Sequence, residues 1–93
     1  MIQNPITIII VDDHEVVRKG IRAYLDTLAE FSVVAEAASG EEAVELVDEH
    51  IPDVVLIDLI MPGGMDGVET TRRIKKISPR TQVVVLTSYH EDA

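Results

Sequence analysis

Apolar and polar positions along the chain follow two alternating rhythms. Ile6-Thr-Ile-Ile-Ile-Val11 is a β-branched run with too few polar positions for a strand wetted on one face. Beyond it, Val16, Val17, Ile21, Tyr24, Leu25 and Leu28 recur at helical spacing, with Arg18, Lys19, Arg22 and Asp26 between them. Phe31 to Ala37 reads as a second, weaker strand. Ser39-Gly-Glu-Glu42 has the Ser-x-x-Glu form of a capping box. It opens a helix carrying Ala43, Val44, Leu46 and Val47, which Ile51-Pro52 ends. Val54 to Ile57 predicts a third strand. Val68, Ile74 and Ile77 mark a third helix, with Arg72, Arg73, Lys75 and Lys76 off that stripe. Pro79 stops it, and Val83 to Leu86 predicts a fourth strand.

Strand and helix in strict alternation imply right-handed crossovers and an α/β fold, a parallel sheet with helices on both faces. The 93 residues suffice for one small domain. The last predicted strand would lie at a sheet edge with no helix to cover it. Residues 1–93 are therefore expected to form a C-terminally incomplete domain.

Composition narrows the chemistry. No cysteine is present, which excludes a disulfide framework and a thiolate metal site. No apolar run approaches the roughly 18 residues of a membrane span. Met1-Ile-Gln-Asn-Pro lacks the basic and apolar regions of a signal peptide, so the cytoplasm is the expected compartment. A net charge of −9 argues against direct DNA binding by this stretch, because phosphate backbones require a basic face.

Sites of open parallel sheets form outside the carboxyl ends of the strands. The first strand ends there in Asp12-Asp13, the third in Asp58 and the fourth in Thr87-Ser88. If the first and third strands are neighbours, Asp12, Asp13 and Asp58 crowd into one pocket, because adjacent strands lie about 4.8 Å apart. Each close pair of carboxylates then costs roughly 3–4 kcal/mol at an effective dielectric of about 20. A hard cation with oxygen ligands is the simplest remedy, and Mg²⁺ commonly takes one or two carboxylates, waters and a phosphate oxygen. Asp58 could then accept a phosphoryl group as an aspartyl phosphate, and the Thr87 hydroxyl could reach it.

The residues "IIIVDDHEVVRKGIRAYL", "VVLIDLIMPGGMDGVE" and "VVVLTSYHED" together resemble the receiver domain of bacterial two-component response regulators. The first block is most similar to the NarL/LuxR type, which carries a helix-turn-helix output domain. The resemblance implies a flavodoxin-like (CheY-like) doubly wound sheet of strand order 2-1-3-4, with a fifth strand beyond. It implies that Asp58 is the phospho-accepting residue, Asp13 a direct metal ligand and Asp12 the acid that holds metal-bound water. The Ile60 backbone carbonyl matches a further ligand of Mg²⁺ or Mn²⁺, and Thr87 the hydroxyl that contacts the phosphoryl group. A histidine kinase is the implied partner, with homodimerisation on phosphorylation and DNA contact only through an output domain. Two departures stand out. Asp58-Leu-Ile-Met-Pro-Gly-Gly-Met-Asp-Gly67 has one more glycine than the usual spacing. The family's phosphoryl-pairing lysine has no counterpart, since Lys19, Lys75 and Lys76 fall on predicted helices.

Plainer readings exist for the same residues. Asp12-Asp13 could be a turn and an N-cap for the first helix, and Asp66 a cap for the third. Met61-Pro62 reads as a turn, His14, His50 and His90 as surface, and the Arg72 to Lys76 cluster as a solvated face. Family resemblance makes the first helix a kinase-docking surface, with Val17, Gly20 and Ile21 as exposed candidates. A P-loop NTPase is excluded because no Gly-x-x-x-x-Gly-Lys-Ser/Thr occurs. An aspartate-nucleophile phosphatase needs a second acid where Ile60 stands. The remaining rival is a phosphorylation-independent pseudo-receiver that acts as an interaction module.

Overall fold

The computed structural model describes residues 4–62 and 64–86. Among them the chain runs β1 Ile6–Val11, α1 Glu15–Leu25, β2 Phe31–Ala37, α2 Gly40–His50, β3 Val54–Asp58, α3 Gly67–Ile77 and β4 Gln82–Leu86. Every strand pairing is parallel, and the sheet order is β2-β1-β3-β4. The alternation and the expected strand order both hold.

Central strands are apolar on both faces because both faces are covered. Ile8, Ile9, Ile10 and Val11 are all buried. Ile9, Val11, Val55 and Ile57 pack with Ala43 and Val47 of α2 and Ile74 of α3. On the opposite face, Ile8, Ile10 and Val33 pack with Ile21 and Leu25 of α1. Burying each such Ile, Leu or Val side chain stabilises the fold by about 1.5–3 kcal/mol. Met61, expected only to turn the chain, inserts its side chain into the first of these clusters.

Helix ends follow the capping signals. Ser39 Oγ accepts the Glu42 N–H at 3.1 Å, and Glu42 reaches back to the N–H of Ala38 at 2.8 Å. Ile51 closes α2 in the left-handed region at φ 45°. Asp66 caps α3 as expected, its Oδ1 accepting the Glu69 N–H at 2.8 Å.

Two apolar stripes differ from expectation. In α1, Val16 is 85% exposed and Tyr24 66%. Ile21 and Leu25 of the predicted stripe do turn to the sheet, but Arg18 and Arg22 stand beside them, because the facing strand β2 carries Glu36 and the two arginines pair with it. In α3, Val68 is exposed, and the buried positions are Gly67, Thr70 and Ile74.

Candidate functional site

The sheet register assembles the site. Val11 pairs with Ile57, so the next residues, Asp12 and Asp58, emerge side by side at the carboxyl ends of β1 and β3. Both are buried. Asp13 follows on the β1–α1 turn. Ligand atoms of Asp12, Asp13, His14 and Asp58 all lie within 4.8 Å of one another. The three predicted acids are therefore brought together.

Local hydrogen bonds fix the acids. Asp12 Oδ1 accepts the His14 N–H at 2.8 Å, an Asx-type turn that sends the chain into α1. The N-cap position belongs to His14, so Asp13 is not the cap that its place in the sequence allowed. Asp58 Oδ1 accepts the Ile60 N–H at 3.1 Å. Gly67 lets α3 start against this strand end: a Cβ there would come within 2.5 Å of Leu59 Cα and 2.8 Å of the Asp58 carbonyl oxygen. The loop between carries Gly64 at φ 117°, a conformation suited to glycine. Glu41 of α2 accepts the Met65 N–H at 3.2 Å and ties the loop down.

His14 is exposed, as expected, but it is not idle. Its Nδ1 lies 2.8 Å from Asp12 Oδ1 and 3.0 Å from Asp13 Oδ1. The hydrogen bond to Asp12, followed by the charge of Asp13, raises its pKa above the usual 6.5. Among the described residues, no Lys or Arg side chain forms an ion pair with Asp12, Asp13 or Asp58. Three convergent carboxylates that no described Lys or Arg neutralises suit a hard divalent ion with oxygen ligands. The donor set thus fits Mg²⁺ or Mn²⁺.

Ile60 is exposed beside the acids. Thr87, Ser88 and His90 lie outside the described residues. Lys19 stands on α1, and Lys75 and Lys76 on α3, as expected. Lys75 donates to the carbonyls of Pro79 and Thr81 at 3.0 and 2.7 Å, closing the end of α3.

Sequence reasoning passed over Arg18 and Glu36. Arg18 Nη1 donates to the Asp12 carbonyl at 2.8 Å, and Arg18 Nε to Glu36 at 3.2 Å. The signal was present: a single charged residue inside a mostly apolar strand, with Arg18, Lys19 and Arg22 on the preceding helix.

Comparison with known proteins agrees with this geometry. The response regulator receiver domain family matches residues 8–93. The response regulator protein VraR of Staphylococcus saprophyticus is 51% identical over 88 residues, 95% of this chain and 42% of that protein. Its counterpart in Staphylococcus aureus is 51% identical over 87 residues, 94% of this chain and 41% of that one. The chain therefore spans less than half the length of these curated relatives. Among solved structures, the signal receiver domain of the response regulator NarL from Mycobacterium tuberculosis superposes with a TM-score of 0.85 at 33% identity, covering 95% of this chain and 70% of that one. The isolated receiver domain of RcsB from Salmonella enterica serovar Typhimurium gives a TM-score of 0.84 at 31% identity, covering 95% and 65%.

Proposed function

The chain belongs to the response regulator receiver family, phosphoryl-accepting domains of two-component signalling, and on that premise we propose that Asp58 is its acceptor. The observation that carries this reading is the register. It places Asp58 beside Asp12 and gathers Asp13 into the same cluster.

Asp58 attacks as a carboxylate, so no base is needed to remove a proton. One of its oxygens bonds to phosphorus, and the bond from phosphorus to the donor's nitrogen or oxygen breaks. The donor leaves with that electron pair. The Ile60 N–H holds Oδ1, which leaves Oδ2 without that bond as the attacking oxygen. Asp12, Asp13, Asp58 and the Ile60 carbonyl would hold a Mg²⁺ or Mn²⁺ ion. Bound there, such an ion offsets the charge of the carboxylates and of the phosphoryl oxygens. The Thr87 hydroxyl is the proposed contact that reads the phosphoryl group. Hydrolysis of the aspartyl phosphate at the same pocket returns the domain to rest.

A histidine kinase is the proposed phosphodonor, and the cytoplasm the proposed compartment. Among the described residues, no helix is long and apolar enough to cross a membrane. The 51% identity to VraR and the likeness to NarL and RcsB support a NarL/LuxR-type regulator, whose DNA-binding output would lie outside this chain. Phosphorylation then shifts a two-state equilibrium that a dimer reads.

Incubation with acetyl phosphate and Mg²⁺, followed by intact-mass measurement, tests the assignment. The wild type is expected to gain one phosphoryl group, and Asp58→Ala none. An unmodified wild type rejects Asp58 as the acceptor and favours the pseudo-receiver, whereas a modified Asp58→Ala moves the acceptor to another residue.

A further inference from the structure

Arg18 is held in an unusual way for a helix residue. Its side chain is 14% exposed and runs back toward the N-terminus of α1, as helical side chains do. There it has two partners, one on the β1–α1 turn and one on β2. Nη1 donates to the Asp12 carbonyl at 2.8 Å, and Nε to Glu36 Oε1 at 3.2 Å.

A β-bulge in β2 makes the second partner available. Ile8 pairs with Val33, but Ile9 pairs with Ala35, so Val34 is the extra residue. Val33 packs on the α1 face, whereas Val34, Ala35 and Ala37 pack on the α2–α3 face. Without the extra residue, strict alternation from Val33 would send Glu36 to the α2–α3 face. With it, Glu36 meets Arg18, Lys19 and Arg22.

We propose that Arg18 is a positioning residue of the acidic pocket, tying the Asp12 carbonyl to Glu36 so that Asp12 and Asp13 keep their convergence on Asp58. The physical link is the planar peptide between Asp12 and Asp13. Its carbonyl oxygen is the atom that Arg18 holds. Fixing that oxygen fixes the plane joining the two Cα atoms that carry the acids. The Asp12 N–H is held as well, by the Ala37 carbonyl at 3.1 Å. Both strand-end bonds of Asp12 therefore depend on β2, one directly and one through Arg18 and Glu36. This inference rests on the pocket reading given above, for divalent cations.

Sign separates positioning from simple charge. Arg18 is a cation near a cation site, so by charge alone its removal tightens metal binding. Lost positioning weakens it. The experiment is a Mn²⁺ titration of the full chain, with melting curves of the metal-free protein alongside. Arg18→Met is expected to weaken Mn²⁺ binding about tenfold, the usual cost of removing a group that orients a ligand. Arg18→Lys is also expected to weaken it, because one ammonium does not span both acceptors. Glu36→Gln, which leaves Arg18 in place with a weaker anchor, is expected to lose less than Arg18→Met. Unchanged or tighter binding by Arg18→Met overturns the inference, even when its melting temperature falls. If Arg18→Met does not fold, Glu36→Gln decides alone, and wild-type affinity overturns the inference. A wild type that binds no Mn²⁺ overturns the pocket reading, and the inference falls with it.

Discussion

Glu36 and Asp12 lie about equally deep, with side chains 9% and 5% exposed, yet the protein neutralises them differently. Glu36 has three cationic partners: Arg22 at 2.8 Å, Arg18 at 3.2 Å and Lys19 at 3.3 Å. Asp12 shares its pocket with Asp13 and Asp58, and only the His14 ring lies against it as a potential cation among the described residues. A carboxylate kept for architecture is given its counter-charges by the fold. On the function proposed above, carboxylates kept for chemistry are left for a ligand to neutralise. Arg18 is the bridge between the two regions, because one guanidinium donates hydrogen bonds to both Glu36 and the Asp12 backbone.

The largest effect is expected where the fold has supplied the charges. Glu36→Gln leaves Arg18, Lys19 and Arg22 without their common anion. Removing one partner of a charged hydrogen-bond network costs about 2–3 kcal/mol, with the exposed Lys19 and Arg22 adding little. Urea unfolding at neutral pH measures it. The pH dependence has a defined sign. Arg22 foremost, then Arg18 and Lys19, hold the Glu36 carboxyl below its ordinary 4.5, against the opposing effect of burial. A depressed folded-state pKa gives stability that is present above pH 4.5 and lost as pH falls through the depressed value. The gap between wild type and Glu36→Gln should therefore narrow in acid. A gap independent of pH would break the contrast with Asp12.

The acidic pocket predicts the opposite sign. Asp58→Asn keeps the Oδ1 acceptor for the Ile60 N–H but removes one of three crowded charges. Without metal it is expected to be more stable than the wild type by about 1 kcal/mol, because the His14 ring and water reaching Asp13 offset most of the bare repulsion; that is roughly 4–8 °C in melting temperature for a domain this size. Millimolar Mg²⁺ should reverse the order, because ligand binding stabilises only the chain that binds it. At a hundredfold excess over the dissociation constant the wild type gains about 2.7 kcal/mol. Equal Mg²⁺ shifts in wild type and Asp58→Asn would remove the distinction between the two regions.

How much of this was legible depends on what each residue has to satisfy. The strands and the caps at Ser39 and Asp66 follow from local chemistry, whereas the order β2-β1-β3-β4 was legible only through the family resemblance. The convergence of Asp12, Asp13 and Asp58 was legible too, once the resemblance set β1 beside β3, because the ends of adjacent parallel strands lie about 4.8 Å apart. The inner face of α1 was legible only at Ile21 and Leu25. Hydrophobic periodicity chose Val16 and Tyr24, whereas the sheet-facing positions include Arg18 and Arg22. That choice is dictated by Glu36, and the side to which Glu36 points depends on a bulge at Val34, a tertiary feature with no local sequence mark. The link from Arg18 to Asp12 followed the same blind spot.

Glu69 isolates burial from the number of partners, and here the smallest effect is expected. Like Glu36, it has more than one cation: Arg72 Nη2 at 2.7 Å and Arg73 Nε at 2.9 Å. Arg73 foremost, with Arg72, also lowers its pKa, so its stabilisation likewise fades as pH falls below 4.5. The difference is solvent. The Glu69 side chain is a third exposed, and those of Arg72 and Arg73 are 70% and 54% exposed. Water and salt screen such pairs, and holding long side chains in one geometry costs entropy. Glu69→Gln should therefore shift the unfolding midpoint less than either variant above, and about 1 M NaCl should erase the shift. The Glu36→Gln deficit should largely survive the same salt, since buried pairs are screened far less. If both deficits vanish in salt, Glu36 behaves as a surface charge. The contrast between fold-supplied and ligand-supplied neutralisation then fails.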